Sequence, residues 1–134
     1  MNSSNYSREI QEILKNAKEQ ALNSHSKYVD LSHLLYALVF RNNSNVYKIL
    51  ISIGCDISEF KNELNKIIFS DHNETYKTYS SSHVPLSKDS DIVLRNSIDE
   101  VKKLGYKKVE DRHLFLAILI HNNKIMDSLF QKFS

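Results

Sequence analysis

Glycine, proline and cysteine are scarce in this chain of 134 residues, and each shortage narrows the fold or the chemistry. Two glycines and one proline disfavour a turn-rich all-β fold and favour helices joined by short polar loops. Cys55 is the only cysteine, which excludes an internal disulfide and a cysteine-based metal cluster. Two glycines also leave no Gly-x-x-x-x-Gly-Lys phosphate loop, so we expect no ATP hydrolysis by this chain and no cofactor.

Long apolar runs and an excess of one charge are missing as well. The longest apolar runs, residues 34–40 and 114–120, fall far below the roughly 20 residues that cross a bilayer. The 18 basic and 16 acidic residues are spread along the chain and form no basic stripe for nucleic acid. The first residues contain no apolar core of a signal peptide. We therefore expect a cytoplasmic protein with neither a nucleic-acid nor a membrane partner.

One stretch of the sequence occurs twice. Each residue of the first copy and its counterpart in the second are separated by the same number of positions as His33 and His113. We call this separation the repeat offset. Residues 28–43 and 108–123 each contain an acidic start, a histidine, seven apolar residues and a polar stop. The residues shared by the two copies are Val29, His33, Leu34, Ala37, Asn42 and Asn43, matched by Val109, His113, Leu114, Ala117, Asn122 and Asn123. The chain therefore contains an internal duplication.

The spacing of apolar residues predicts seven helices and no strand of useful length. The predicted helices cover residues 8–23, 31–41, 45–53, 57–69, 88–104, 111–121 and 124–133, with N-caps at Ser7, Asp30, Asp56, Ser87 and Asp111. The fold class is therefore all-α, in one domain over residues 1–134. Repeat one covers residues 7–69 with four helices, a polar linker covers 70–86, and repeat two covers 87–133 with three or four helices.

These repeats resemble the duplicated N-terminal domain (Clp repeat) of the Clp/Hsp100 AAA+ unfoldases, and they are closest to the ClpC type. In repeat one the resemblance rests on Ala17, Ala21, Val29, His33-Leu34-Leu35, Ala37-Leu38 and Ile49-Leu50 with Gly54. In repeat two it rests on Val84-Pro85-Leu86, Leu104-Gly105, Val109, His113-Leu114, Ala117-Ile118 and Leu129. The resemblance covers about residues 6–133 and implies a compact pseudo-twofold helical domain. It also implies recruitment of client and adaptor proteins for Clp ATPase modules in cis or in trans.

Two departures from that family pattern matter. Members of the ClpC branch carry Thr-Glu-His at the start of each central helix, whereas this chain has Leu31-Ser32-His33 and Asp111-Arg112-His113. In members that read phosphoarginine, the negatively charged glutamate pairs with the guanidinium group of the modified residue. Ser32 lacks that negative charge, and Arg112 carries a positive charge instead. The sequence therefore disfavours phosphoarginine recognition and leaves phosphate contact by hydroxyls and helix starts open. The second departure is that the sequence predicts no eighth helix in repeat two.

The candidate contacts for peptides or adaptors are the residues at the starts of helices one, two, five and six, in grooves where the halves meet. They are Ser7, Ser32, Ser87 and Arg112. His33, His113, Ala37 and Ala117 are interpreted as a structural signature of the repeat, with each imidazole bonded to a loop carbonyl of its own repeat. No ligand spacing supports a metal site.

Three functions are compatible with these features. The favoured one is the client- and adaptor-recruiting N-terminal domain of a Clp ATP-dependent unfoldase, which is not catalytic by itself. The alternative is a stand-alone accessory protein that docks on a Clp protease core or ring. The third, a small helical enzyme using His33 or His113, is disfavoured. The client, the adaptor and the oligomeric state do not follow from the sequence.

Overall fold

The computed structural model of the chain describes residues 6–70 and 84–133, and every regular element within these ranges is a helix. The helices are α1 (Arg8–Asn23), α2 (Leu31–Val39), α3 (Asn45–Ser52), α4 (Ile57–Ser70), α5 (Lys88–Lys103), α6 (Asp111–Ile120) and α7 (Lys124–Gln131). The prediction of an all-α fold is confirmed, and the predicted helix ends differ by no more than two residues. Most of the predicted linker, with His72, Tyr76, Tyr79 and His83, lies outside the described residues.

Serine hydroxyls cap the N-terminus of the first helix of each repeat. Ser7 Oγ accepts from the N–H of Ile10 at 3.2 Å, and Ser87 Oγ accepts from the N–H of Ser90 at 3.1 Å. Each bond satisfies one of the free N–H groups of a first helical turn, as the sequence predicted. The cap predicted for α6 is wrong by one residue. Glu110 is the N-cap, and Asp111 is the first helical residue and fully buried.

The duplication is visible in the backbone. Helices α1 and α5 begin and end at positions related by the repeat offset. The repeats are joined crosswise by two parallel β-bridges, one between Tyr6 and Val109 and one between Val29 and Leu86. The segment before the first helix of each repeat therefore pairs with the segment before the central helix of the other repeat. This exchange places the starts of α1 and α6 together, and likewise the starts of α5 and α2.

Helix α2 is the buried centre of repeat one, as its nearly continuous apolar sequence predicted. Leu34, Leu35 and Leu38 are fully buried, and the helix packs against α1, α3, α4, α5 and α6. Helix α6 holds the matching place in repeat two and packs mainly against α5. Helix α4 packs against α2, but none of the described residues forms a corresponding helix on α6. No helix in the described ranges is long and apolar enough to cross a membrane.

Candidate functional site

A cleft of about 540 Å³ lies where the two repeats meet. Repeat one supplies the loop before α2, the start of α2 and the end of α4. Repeat two supplies the starts of α5 and α7 and the loop before α7. Its lining includes Ser26, Tyr28, Ser32, Ile67, Asp89 and Ile125. This mixture of hydroxyl, carboxylate and apolar groups suits a peptide segment. Within the described residues, no group of three histidine, cysteine or acidic side chains is arranged to hold a metal ion.

Ser32 and Ser87 come from different repeats and lie on the same side of the molecule. Ser32 is the second residue of α2 and lines the cleft, although only 5% of its surface is exposed. The N–H of Ser87 donates to the carbonyl of Val29, three residues before Ser32, at 3.0 Å. The hydroxyl of Ser87 caps α5 and also donates to Ser90 Oγ at 3.1 Å. Cross-repeat pairing thus brings together two of the four candidate contact residues.

Ser7 and Arg112 form the second cross-repeat set, on the side related by the pseudo-twofold axis. The N–H of Ser7 donates to the carbonyl of Val109 at 3.1 Å, close to the start of α6. The guanidinium of Arg112 donates to Glu110 at 2.7 Å and lies 5.9 Å from the ring centroid of Tyr106. This positive group is half-exposed and does not line the 540 Å³ cleft. The two sets are therefore related by the duplication but differ in charge.

A duplicated acid–base pair was missed by the sequence analysis. Glu9 accepts from Arg41 at 2.8 Å, and Asp89, at the equivalent position of repeat two, lies 2.9 Å from Nε2 of His121. Asp89 also accepts from the side-chain amide of Asn123 at 2.8 Å. The repeat offset relates both members of one pair to those of the other, so the signal was present in the sequence. Asp89 therefore places a carboxylate in the cleft, whereas Ser32 contributes only a neutral hydroxyl.

His33 connects the start of α2 to the loop that precedes it. Its Nδ1 accepts from the N–H of Asp30 at 2.9 Å, so the ring proton is on Nε2. Nε2 lies 3.2 Å from the hydroxyl oxygens of both Ser24 and Ser26. The prediction that the His33 ring bonds to a loop carbonyl is therefore wrong, because its partners are two hydroxyls and a backbone N–H. Burial lowers the pKa of His33 to about 4, which keeps the ring neutral at pH 7.

His113 makes the same helix-capping bond in different surroundings. Its Nδ1 accepts from the N–H of Glu110 at 2.9 Å. The ring lies 5.4 Å from that of Tyr106 and is partly exposed. Burial, with a further contribution from the charge of Arg112, lowers the pKa of His113. Ala37 and Ala117 are both buried, at matching positions in α2 and α6.

Comparison with known proteins identifies one matching family and one curated relative. The family model described as the Clp repeat (R) N-terminal domain matches residues 5–133. The chaperone protein ClpB of Oceanobacillus iheyensis is 25% identical over 114 residues. The match covers 85% of this chain but 13% of that protein. The chain thus corresponds to a small part of a much longer relative.

Solved structures share the fold at low sequence identity. The N-terminal domain of the chaperone ClpD from Arabidopsis thaliana gives a TM-score of 0.73 at 13% identity, covering 98% of this chain and 86% of that one. A chain from a malarial protein secretion system gives 0.78 at 16% identity, covering 96% and 84%. A chain from work on the ATPase ClpV of type VI secretion gives 0.72 at 16% identity, covering 95% and 75%. These likenesses concern the fold alone.

Proposed function

The chain belongs to the Clp repeat N-terminal domain family, and we propose that it recruits client and adaptor proteins to a Clp ATP-dependent unfoldase. In this proposal the chain binds proteins and catalyses no reaction itself. The ATPase modules act in cis or in trans, and the site of action is the cytoplasm. The ClpC subtype stays a prediction. The observation that carries the proposal is the cleft of about 540 Å³ between the repeats.

The cleft offers an unfolded segment both apolar and polar contacts. Tyr28 and Ile125 are exposed by 41% and 57% and can bury side chains of a bound segment. Ser26 and the largely buried Ser32 line the same cleft, and their hydroxyls can bond to the backbone of that segment. A site of this kind favours weak binding of many sequences, which suits a domain that passes its clients onward.

The charge distribution favours ordinary polypeptide over phosphoarginine as the ligand. Ser32 provides no charge for a guanidinium group, and the nearby carboxylate of Asp89 already bonds to His121 and Asn123. On the other side of the molecule Arg112 would repel a guanidinium group. The hydroxyls of Ser7 and Ser87 cap α1 and α5 and do not line the cleft. We propose them as secondary contacts for parts of a bound chain that extend beyond the cleft.

The test is a fluorescence-anisotropy titration of a labelled, permanently unfolded model protein with this chain. The double variant Tyr28→Ser/Ile125→Ser removes exposed apolar surface from the cleft and should weaken binding by roughly tenfold or more. The control Ile51→Ser/Leu104→Ser removes comparable surface elsewhere and should change binding by less than about twofold. Equal losses in both variants, or no binding by the unaltered chain at near-physiological salt, would contradict the proposal.

A further inference from the structure

The cleft between the repeats continues as a groove between α4 and α7. The groove has a volume of about 420 Å³ and shares with the cleft the lining residues Ile67, Ser70 and Ile125. Because residues three or four positions apart lie on one face of a helix, each helix presents a row of side chains to the groove. The row on α4 is Glu63, Lys66 and Ser70, and the row on α7 is Lys124, Ser128 and Lys132. We call this surface the lysine groove.

Positive charge exceeds negative charge in the lysine groove. Among the described residues that line it, Lys66, Lys124 and Lys132 are exposed cations and Glu63 is the one acid. The carboxylate of Glu63 accepts from Lys132 at 2.6 Å and from Lys66 at 3.0 Å. Three ammonium groups against one carboxylate leave a net charge of +2 along the groove. This net charge favours an anionic ligand.

The cleft beside the groove has the opposite balance. Histidines apart, the charged side chains that line it within the described residues are Lys27, Asp30 and Asp89, with a net charge of −1. The boundary between the two regions is apolar, because Ile67 and Ile125 belong to both. Each of these isoleucines directly follows a lysine of the groove. A bound chain that extends from the cleft into the groove therefore meets apolar surface and then the ammonium groups of Lys66 and Lys124.

The lysines of α7 are not a feature of the duplicated fold. The repeat offset relates Lys124 and Lys132 to Ser44 and Ser52, at the two ends of α3. Helices α3 and α7 have the same length of 8 residues, and α3 forms with serine at both positions. Packing of a repeat therefore does not require lysine at these positions, which leaves them available for contact with a ligand.

We propose that the lysine groove binds an acidic stretch of a client or adaptor, next to an apolar stretch held in the cleft. The inference rests on the proposed function and specifies the class of polypeptide that the domain selects. Lys66 and Lys124 would donate to aspartate or glutamate carboxylates, as Lys132 does to Glu63 across the groove. A nucleic acid fits less well, because no aromatic side chain or arginine among the described lining residues is available to stack on a base.

Two fluorescein-labelled peptides with the same apolar segment test the inference. Glutamates flank the segment in the acidic peptide, and glutamines replace them in the neutral peptide. At about 0.1 M salt, where exposed charges still act over about 10 Å, anisotropy should show the acidic peptide binding about fivefold tighter. The variant Lys66→Gln/Lys124→Gln should reduce this ratio below about twofold and leave the affinity of the neutral peptide unchanged. The control Lys102→Gln/Lys103→Gln lowers the net charge equally in the last turn of α5 and should keep the ratio. All four lysines are exposed, and unchanged circular dichroism will verify that the variants stay folded.

Three results would overturn the inference. The first is equal affinity of the two peptides for the unaltered chain, and the second is an equal loss of the ratio in both lysine variants. The third is competition by an oligonucleotide of equal charge as strong as that by the acidic peptide, because the groove would then bind phosphate as well as it binds acidic polypeptide. The cleft variant Tyr28→Ser/Ile125→Ser should weaken both peptides by the same factor and keep the ratio. A lost ratio with that weakening contradicts this inference alone, whereas a kept ratio without it contradicts the cleft proposal alone.

Discussion

At the scale of single residues, His33 makes the stability of the domain depend on pH. The neutral ring accepts at Nδ1 from the start of α2 and lies against Ser24 and Ser26 at Nε2, with 1% of its surface exposed. A proton on Nδ1 would remove the bond to the N–H of Asp30 and place a charge in the interior. Burial lowers the pKa of His33 to about 4, compared with the ordinary value of 6.5 for a histidine side chain.

We predict that the free energy of unfolding decreases as the pH falls from about 6.5 to 4. The unfolded chain binds a proton at His33 in this range and the folded chain does not, so acid favours unfolding. The stability that depends on the neutral His33 ring is fully present above pH 6.5 and is lost progressively as the pH falls to about 4. Its size is about 3 kcal/mol, from the difference between a pKa of about 4 and one of 6.5. Urea unfolding at a series of pH values measures it.

The matched variant for this prediction is His33→Gln. Glutamine at the third position of a helix can also accept from the N–H of the cap residue, so the capping bond is kept while the titrating ring is removed. The variant should be less stable than the unaltered chain at pH 7.5 but lose less stability between pH 6.5 and 4. The prediction is wrong if the two proteins show the same pH dependence.

The role of His33 was partly readable from the sequence. The duplication identified both histidines as parts of the repeat. It did not reveal that Ser24 and Ser26 contact the ring, because those residues approach only after the chain turns at His25, whose φ is +56°. Repeat two has Gly105 at that position, with φ of +84°. A left-handed turn at a histidine has no clear sequence signal, since glycine is the usual residue there.

At the scale of helices, Asp111 joins repeat two to repeat one. Its carboxylate accepts from the N–H of Asn45 at 3.0 Å and from the side-chain amide of Asn45 at 3.3 Å. These bonds satisfy donors at the start of α3 with a fully buried acid from α6. The sequence predicts Asp111 as the cap of α6, because an acidic residue next to an apolar run is a strong cap signal. In the structure Glu110 caps α6, and Asp111 is used instead for this contact with a residue far away in the sequence.

We predict that Asp111→Ala destabilises the domain by about 2 to 3 kcal/mol, because it removes the charged acceptor of two hydrogen bonds from Asn45. Asp111→Asn, which keeps one carbonyl oxygen, should cost less. Asp99→Ala is the control, since Asp99 is an exposed acid in α5 and should change stability by less than about 0.5 kcal/mol. Chemical denaturation measures all three. A loss for Asp111→Ala no larger than for Asp99→Ala would show that this junction does not hold the repeats together.

At the scale of the whole molecule, the repeat offset predicted the arrangement of elements but not the way in which the repeats join. Apolar spacing and caps were sufficient to predict the seven helices of residues 6–70 and 84–133, because each of these signals is local in the chain. The crosswise bridges between Tyr6 and Val109 and between Val29 and Leu86 involve few residues and leave no periodic pattern. The cleft depends on that joining, and for this reason the sequence did not place it.

We propose that clients bind in the cleft between the repeats. The most direct test of this proposal is a ¹H–¹⁵N NMR titration of the isotope-labelled chain with an unlabelled, permanently unfolded model protein. We predict that the largest shift changes or line broadening occur at the backbone amides of Ser26, Tyr28, Ser32, Asp89 and Ile125, which all line the cleft. Spectra that stay unchanged at saturating client, or changes confined to residues outside the cleft, would contradict the claim.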